Sequence, residues 1–209
     1  MAIAGRKAVV NVSGGALVFT NEATTANVAR TVYTITNTVK RVWDRIAAIT
    51  VQTSPDGGTT WNAATGYTIN RLKGQVTFGV ANAVGTLIRV SGSYLPLAAA
   101  VSGKSYKWEL SATNIDNSEF GFVFINRSQG LKSASGSIGQ WKTTDTTLTD
   151  LLLAGSPAIV EFWSDGSATY DVRLWALFNK AQINAAVEGL VTQDIEFEST
   201  PDLDGNVAG

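Results

Sequence analysis

The sequence predicts a mainly β protein, a sandwich or barrel with one short flanking helix. Three observations carry that prediction. Thr, Ser, Val, Ala and Gly dominate the 209 residues, a composition suited to pleated, half-buried surfaces. Period-two alternation recurs in short runs bounded by Gly, Asn and Asp. Only one segment carries helix start and stop signals together.

In chain order, Val10 and Val12 alternate with Asn11 and Ser13 before the Gly14-Gly15 turn, and Ala16–Phe19 follows as a strand. Thr31–Thr36 is a clean alternating run. In Asn37–Ile46, Val39, Val42, Trp43 and Ile46 have helical spacing, but the run is too short for a stable helix and reads as an irregular connector. Ile49–Thr53 resumes as a strand, closed by Ser54-Pro55-Asp56-Gly57-Gly58. Tyr67–Phe78 reads as a hairpin with Gly74 supplying a positive φ. Leu87–Tyr94 and Tyr106–Ser111 are further strands. Residues 126–143, rich in Ser, Gly, Gln and Lys, read as a loop with at most one short strand. Thr147-Leu148-Thr149-Asp150 has the capping-box form with Asp in place of Glu, which predicts a helix over about 145–154, stopped by Gly155 and Pro157. Strands follow at Ala158–Trp163, Thr169–Phe178 and Ala181–Val187, with a last one at Ile195–Glu198. Nothing reads as a linker, so one domain is expected over 1–209, with 1–8 and 200–209 as flexible or assembly-ordered termini.

Composition excludes several functions. With no Cys and no His, disulfides, thiol nucleophiles, the common zinc sites and the usual general base are absent. No phosphate loop, dinucleotide fingerprint or nucleophile elbow occurs, so an enzyme is not expected, and neither is a cofactor. Asp56, Asp165, Asp202 and Asp204 lie near glycines, but no D-x-D-x-D-G calcium loop is present, and no metal is expected. The apolar stretch Leu95–Val101 is far short of the ~20 residues of a membrane span, and the first residues lack a signal-peptide core. The expectation is a protein made in the cytoplasm.

Charge is unevenly distributed. Residues 1–110 hold eleven Lys/Arg against four Asp/Glu, and 111–209 hold five against thirteen. Such asymmetry points to a charged partner, and a second copy of the chain offers one. The plainer reading is surface charge that interleaves on folding.

Several elements resemble the tail tube (major tail) proteins of long-tailed bacteriophages: Arg41-Val42-Trp43-Asp44; the hairpin Gly66–Asn70 with Gly74–Phe78; Val90–Tyr94; Asp150-Leu151-Leu152 before Val160-Glu161-Phe162; and the closing Val187–Glu198. The resemblance runs from about residue 31 to the end, rests on the order of individually weak motifs, and is poorest over 113–143. It implies a tail-tube β-sandwich or barrel that forms rings, typically of six copies. These would stack head to tail into a hollow tube for DNA passage in the virion tail. The implied partners are other copies of the chain, the tape-measure, tail-terminator and tail-tip proteins, and genomic DNA only in transit.

On that reading, the basic candidates for ring stacking are Arg6, Lys7, Lys40, Arg41 and Arg45, with Trp43 giving the connector a sticky, charged surface that reaches the next ring. Arg71 and Lys73, at a hairpin tip, read more simply as solvated loop charge. The acidic candidates, for stacking or for a phosphate-repelling lumen, are Glu188, Asp194, Glu196, Glu198, Asp202 and Asp204; an acidic solubilising end is the plainer account. Glu196 and Glu198 flank Phe197 and share the opposite strand face. Trp108, Trp163 and Trp175 read as core. Trp61 and Trp141 would serve the alternative of a carbohydrate-binding β-sandwich. A head decoration or tail-tip protein is a further alternative.

Overall fold

The computed structural model describes residues 9–99, 103–118, 124–141, 146–164, 169–185 and 190–208. The fold is mainly β, with two antiparallel sheets and one short helix, as the alternation predicts. The chain divides into two compact units: Met1–Ala100 with Ala158–Trp175 and Thr200–Gly209, and Val101–Pro157 with Ala176–Ser199.

In the first unit, β2 (Leu17–Ala26), β3 (Val32–Ile35), β4 (Thr50–Ser54), β5 (Asn62–Ala63), β6 (Tyr67–Asn70), β7 (Gln75–Phe78) and β8 (Leu87–Tyr94) form one sheet in the order β5-β4-β8-β2-β3-β7-β6. Its alternate residues, including Tyr33, Ile35, Val76, Phe78, Ile88 and Val90, bury one core together with Phe19 and Trp43. The other strands of this unit are β9 (Leu97–Ala99), β1 (Val9–Ser13), β12 (Ala158–Trp163) and the start of β13 (Val172–Asn184), which are neighbours in that order. A second cluster gathers Val42, Leu72, Ile159 and Trp175.

The connector 37–48 is not a projecting arm. Trp43 N donates to Arg71 O at 2.8 Å, Leu95 N to Val42 O at 2.8 Å and Asp44 N to Ser93 O at 2.9 Å, so residues 42–44 run as an irregular rung between β8 and the β6–β7 hairpin. The C-terminal segment, expected to be flexible or ordered by assembly, is hydrogen-bonded to its own chain. Thr200 N donates to Trp175 O and Trp175 N to Val207 O, both at 3.0 Å. The Asp202 carboxylate caps a turn by accepting from the backbone N–H of Asp204 (2.9 Å) and Asn206 (2.8 Å). The N-terminal residues 1–8 lie outside the described residues.

The second unit orders β10 (Gly103–Asp116), β11 (Arg127–Trp141), β14 (Thr192–Ser199) and the rest of β13 side by side. The loop expected over 126–143 is in fact the fifteen-residue β11. Gly136 sits at a close approach: a Cβ there would run into the Lys107 carbonyl oxygen of β10 and stand 2.5 Å from the Phe197 ring. Likewise, the two strands expected at 169–178 and 181–187 are one strand, β13. A register shift between Phe178 and Lys180 breaks the alternation that the pattern depends on. The helix α1 (Thr147–Ala154) is present, but its N-cap is Thr146 rather than Thr147, and Thr146 Oγ1 bonds Asp150 Oδ2 at 2.7 Å. Gly155, at φ +60°, ends it as predicted, its N–H donating to Leu152 O. Gln193 bridges Gln140 (3.2 Å) and Thr149 (3.0 Å), which fixes α1 to the sheet.

Candidate assembly surfaces

Four of the six basic-surface candidates lie within the described residues, and the structure gives them different roles. Trp43 is fully buried, stacked on Phe19 at 6.0 Å, with its indole N–H donating to Lys40 O. It is a core residue, not a sticky patch; an aromatic flanked by cations looks exposed in sequence, but here only the flanks reach solvent. Lys40 is ion-paired with Glu22. Arg45 donates to Pro201 O at 2.7 Å and Thr200 Oγ1 at 3.4 Å. Among the described residues, Arg41 uses only its Nε, on Ile35 O at 3.2 Å. Arg6 and Lys7 lie outside the described residues.

Arg71 corrects the reading of a solvated hairpin charge. It is 5% exposed and donates from Nε to Asp204 Oδ2 at 2.8 Å and from one terminal nitrogen to Asp44 O and Ala47 O, both at 2.7 Å. Asp202 and Asp204 therefore meet their own chain: one caps a turn and the other pairs with Arg71. Glu188 lies outside the described residues.

Asp194, Glu196 and Glu198 occupy the exposed face of β14, while Gln193, Ile195 and Phe197 fill the buried face. Glu196 pairs with Lys180 at 2.7 Å; Asp194 and Glu198 meet no cation among the described residues. By register, Ser135, Ser137 and Gly139 of β11 lie opposite these three acids. Beyond them, Glu109, Lys107 and Ser105 of β10 continue the row. The result is a hydrophilic sheet face of small and charged groups.

At the edge of this sheet, β10 pairs only with β11 among the described residues. Nearly all of its described side chains are exposed. Trp108, expected in the core, is 37% exposed, and Leu110 is 63% exposed. The sequence predicts a strand here but conceals its fourteen-residue length and its edge position, which only the pairing order reveals.

The tryptophans proposed for sugar stacking are otherwise engaged. Trp61 lies under Arg89 at 4.1 Å and donates to Gly58 O; Lys104 stands 4.7 Å over Trp141. Trp175 is buried as predicted, and Trp163 is half-buried. The loop around Trp61 is a self-bonded turn. Ser54 Oγ donates to Asp56 Oδ1 at 2.6 Å, and Thr60 N donates to the same oxygen at 2.9 Å. The Ser54 hydroxyl foremost, then Thr60, holds the Asp56 carboxyl well below the usual carboxylate range. No group of three or more acidic side chains placed to hold a metal occurs among the described residues, and none of their helices is long and apolar enough to cross a membrane. A scan of protein-family models and a search of curated protein sequences each return no match to this chain.

Proposed function

We propose that the chain is a structural subunit that self-assembles into rings, and that these stack into a hollow tube of the phage tail type, through which DNA passes. The observation that carries this reading is the β10 edge. A long, exposed strand with Trp108 and Leu110 uncovered is a liability in a solitary protein. In a ring, a strand of the next copy completes its backbone hydrogen bonds and covers its apolar side chains. Residence in a virion tail and contacts with tape-measure, terminator and tail-tip proteins belong to the same proposal.

Negative-stain microscopy with sedimentation velocity on the purified chain tests it. Rings or tubes are expected. A monomer at every concentration, or a discrete small oligomer that never stacks, would sink the tube reading.

A further inference from the structure

The first unit holds a cavity of about 360 Å³ that neither the core nor the tail uses. Arg41, Lys73 and Arg173 line it, with Trp163, Tyr170 and Thr38 among its walls, and no carboxylate of the described residues does. Arg173 is the fixed part. Its guanidinium is held by Glu161 (Nε to Oε2 at 2.7 Å) and by Leu72 O at 2.5 Å, and lies 4.2 Å from the Tyr170 ring centroid. Glu161 is fully engaged in holding it and has no capacity for the other cations. Its side chain is 2% exposed and also accepts from Asn11 at 2.9 Å and Trp163 at 2.5 Å. Arg41 and Lys73 meet no carboxylate among the described residues. Arg41 has its terminal nitrogens, and Lys73 its ammonium, without a partner among the described residues. Gly74 sets them side by side, because at φ +62° its missing Cβ would lie 2.6 Å from Arg41 O. The hairpin tip carrying Lys73 can close on the Arg41 backbone only there.

Two cations lining one cavity and unpaired among the described residues make a site suited to anions, since partial desolvation strengthens each charge-assisted hydrogen bond. We infer that this cavity takes carboxylate side chains from a second copy of the chain, supplied by Asp194 and Glu198 of its β14. The chain carries the complement on its own surface: these two exposed acids are the ones on β14 that meet no cation among the described residues. A contact between two different faces of identical copies is heterologous, so it repeats and propagates. The inference rests on the self-assembly reading above and deepens it by naming the contact.

Two charge-swapped chains test it, Arg41→Glu/Lys73→Glu and Asp194→Lys/Glu198→Lys, each checked for folding by circular dichroism. Each alone is expected to lose at least tenfold in stacking affinity by sedimentation velocity. An equimolar mixture is expected to recover stacking, because each pocket then meets an opposite strand. If a double swap does not fold, Lys73→Glu and Glu198→Lys, both at exposed positions, form the same pair. Wild-type stacking by the swapped chains, or no recovery on mixing, overturns the contact and leaves the tube reading standing. Recovery only when both swaps share one chain also overturns it, since the acids then come from the same molecule. A wild-type chain that never associates sinks both.

Discussion

Arg71 shows how a residue's role can hide from its neighbourhood in sequence. Between Asn70 and Lys73 it looks like tip charge, yet its carboxylate partner lies 133 positions away. Replacing it with Ala strands Asp204 and two backbone carbonyls, Asp44 O and Ala47 O. Arg71→Ala is therefore expected to cost about 2–3 kcal/mol in urea denaturation. Arg71→Lys should recover only part of that, because an ammonium cannot reproduce the fork that reaches three acceptors. Asp56 is more legible: polar side chains at 54, 56 and 60 around Gly57 and Gly58, at φ +73° and +101°, announce a self-bonded turn. Its carboxyl is depressed in the folded state, so its contribution to stability is complete above the ordinary value of 3.8 and fades as pH falls below that toward the folded value. Thermal melts of wild type and Asp56→Asn should differ at pH 7, and the gap should narrow below about pH 4. A constant gap down to pH 2 would show that the charge is not what holds the turn.

At the scale of elements, strands with local alternation are readable from sequence and those with long-range reasons are not. β12 can be placed to the residue because its apolar run is bounded by Pro157 and a polar segment. β11 reads as a loop because Ser, Gly and Lys carry no strand propensity; what makes it a strand is pairing on both sides, with β10 and β14. Its glycines are fitted to that position. Gly136→Ala should cost about 1–3 kcal/mol by overpacking against the Lys107 carbonyl and the Phe197 ring, whereas Gly15→Ala, with open space around it, should be close to neutral. Equal melting temperatures for the two variants would mean that β10 shifts and Phe197 swings aside at little cost. The candidate site is half legible for a similar reason. The acidic face of β14 follows from period two alone, but the cavity around Arg41 and Lys73 needs Trp163, Tyr170 and Arg173, which alternation cannot bring to them.

For the whole molecule, the charge split changes meaning once the chain is divided as it folds. Cut by sequence, the halves are about +7 and −8; cut by compact unit, ten basic residues face eight acidic ones in the first and six face nine in the second. The acids of 158–175 and 200–209 belong to the unit that holds most of the cations, and Arg71 and Arg173 are paired there with Asp204 and Glu161. Opposite poles are thus largely neutralised within each copy, and only local charge remains for contacts between copies. Two kinds of contact should then separate under salt. Screening shrinks from about 8 Å at physiological strength to about 3 Å at 1 M, which weakens a carboxylate–cation contact. Backbone pairing at β10 and burial of Trp108 and Leu110 are not weakened by salt in this way. Raising NaCl to 1 M should shorten tubes while rings persist. Trp108→Lys with Leu110→Lys, by contrast, should abolish rings at any salt, because charge on an edge strand opposes pairing, and should leave the monomer folded by circular dichroism, since Leu110 is mostly exposed and Trp108 lies outside the buried core. Rings that survive that double substitution would place the ring contact elsewhere than β10, and tubes indifferent to salt would make stacking apolar.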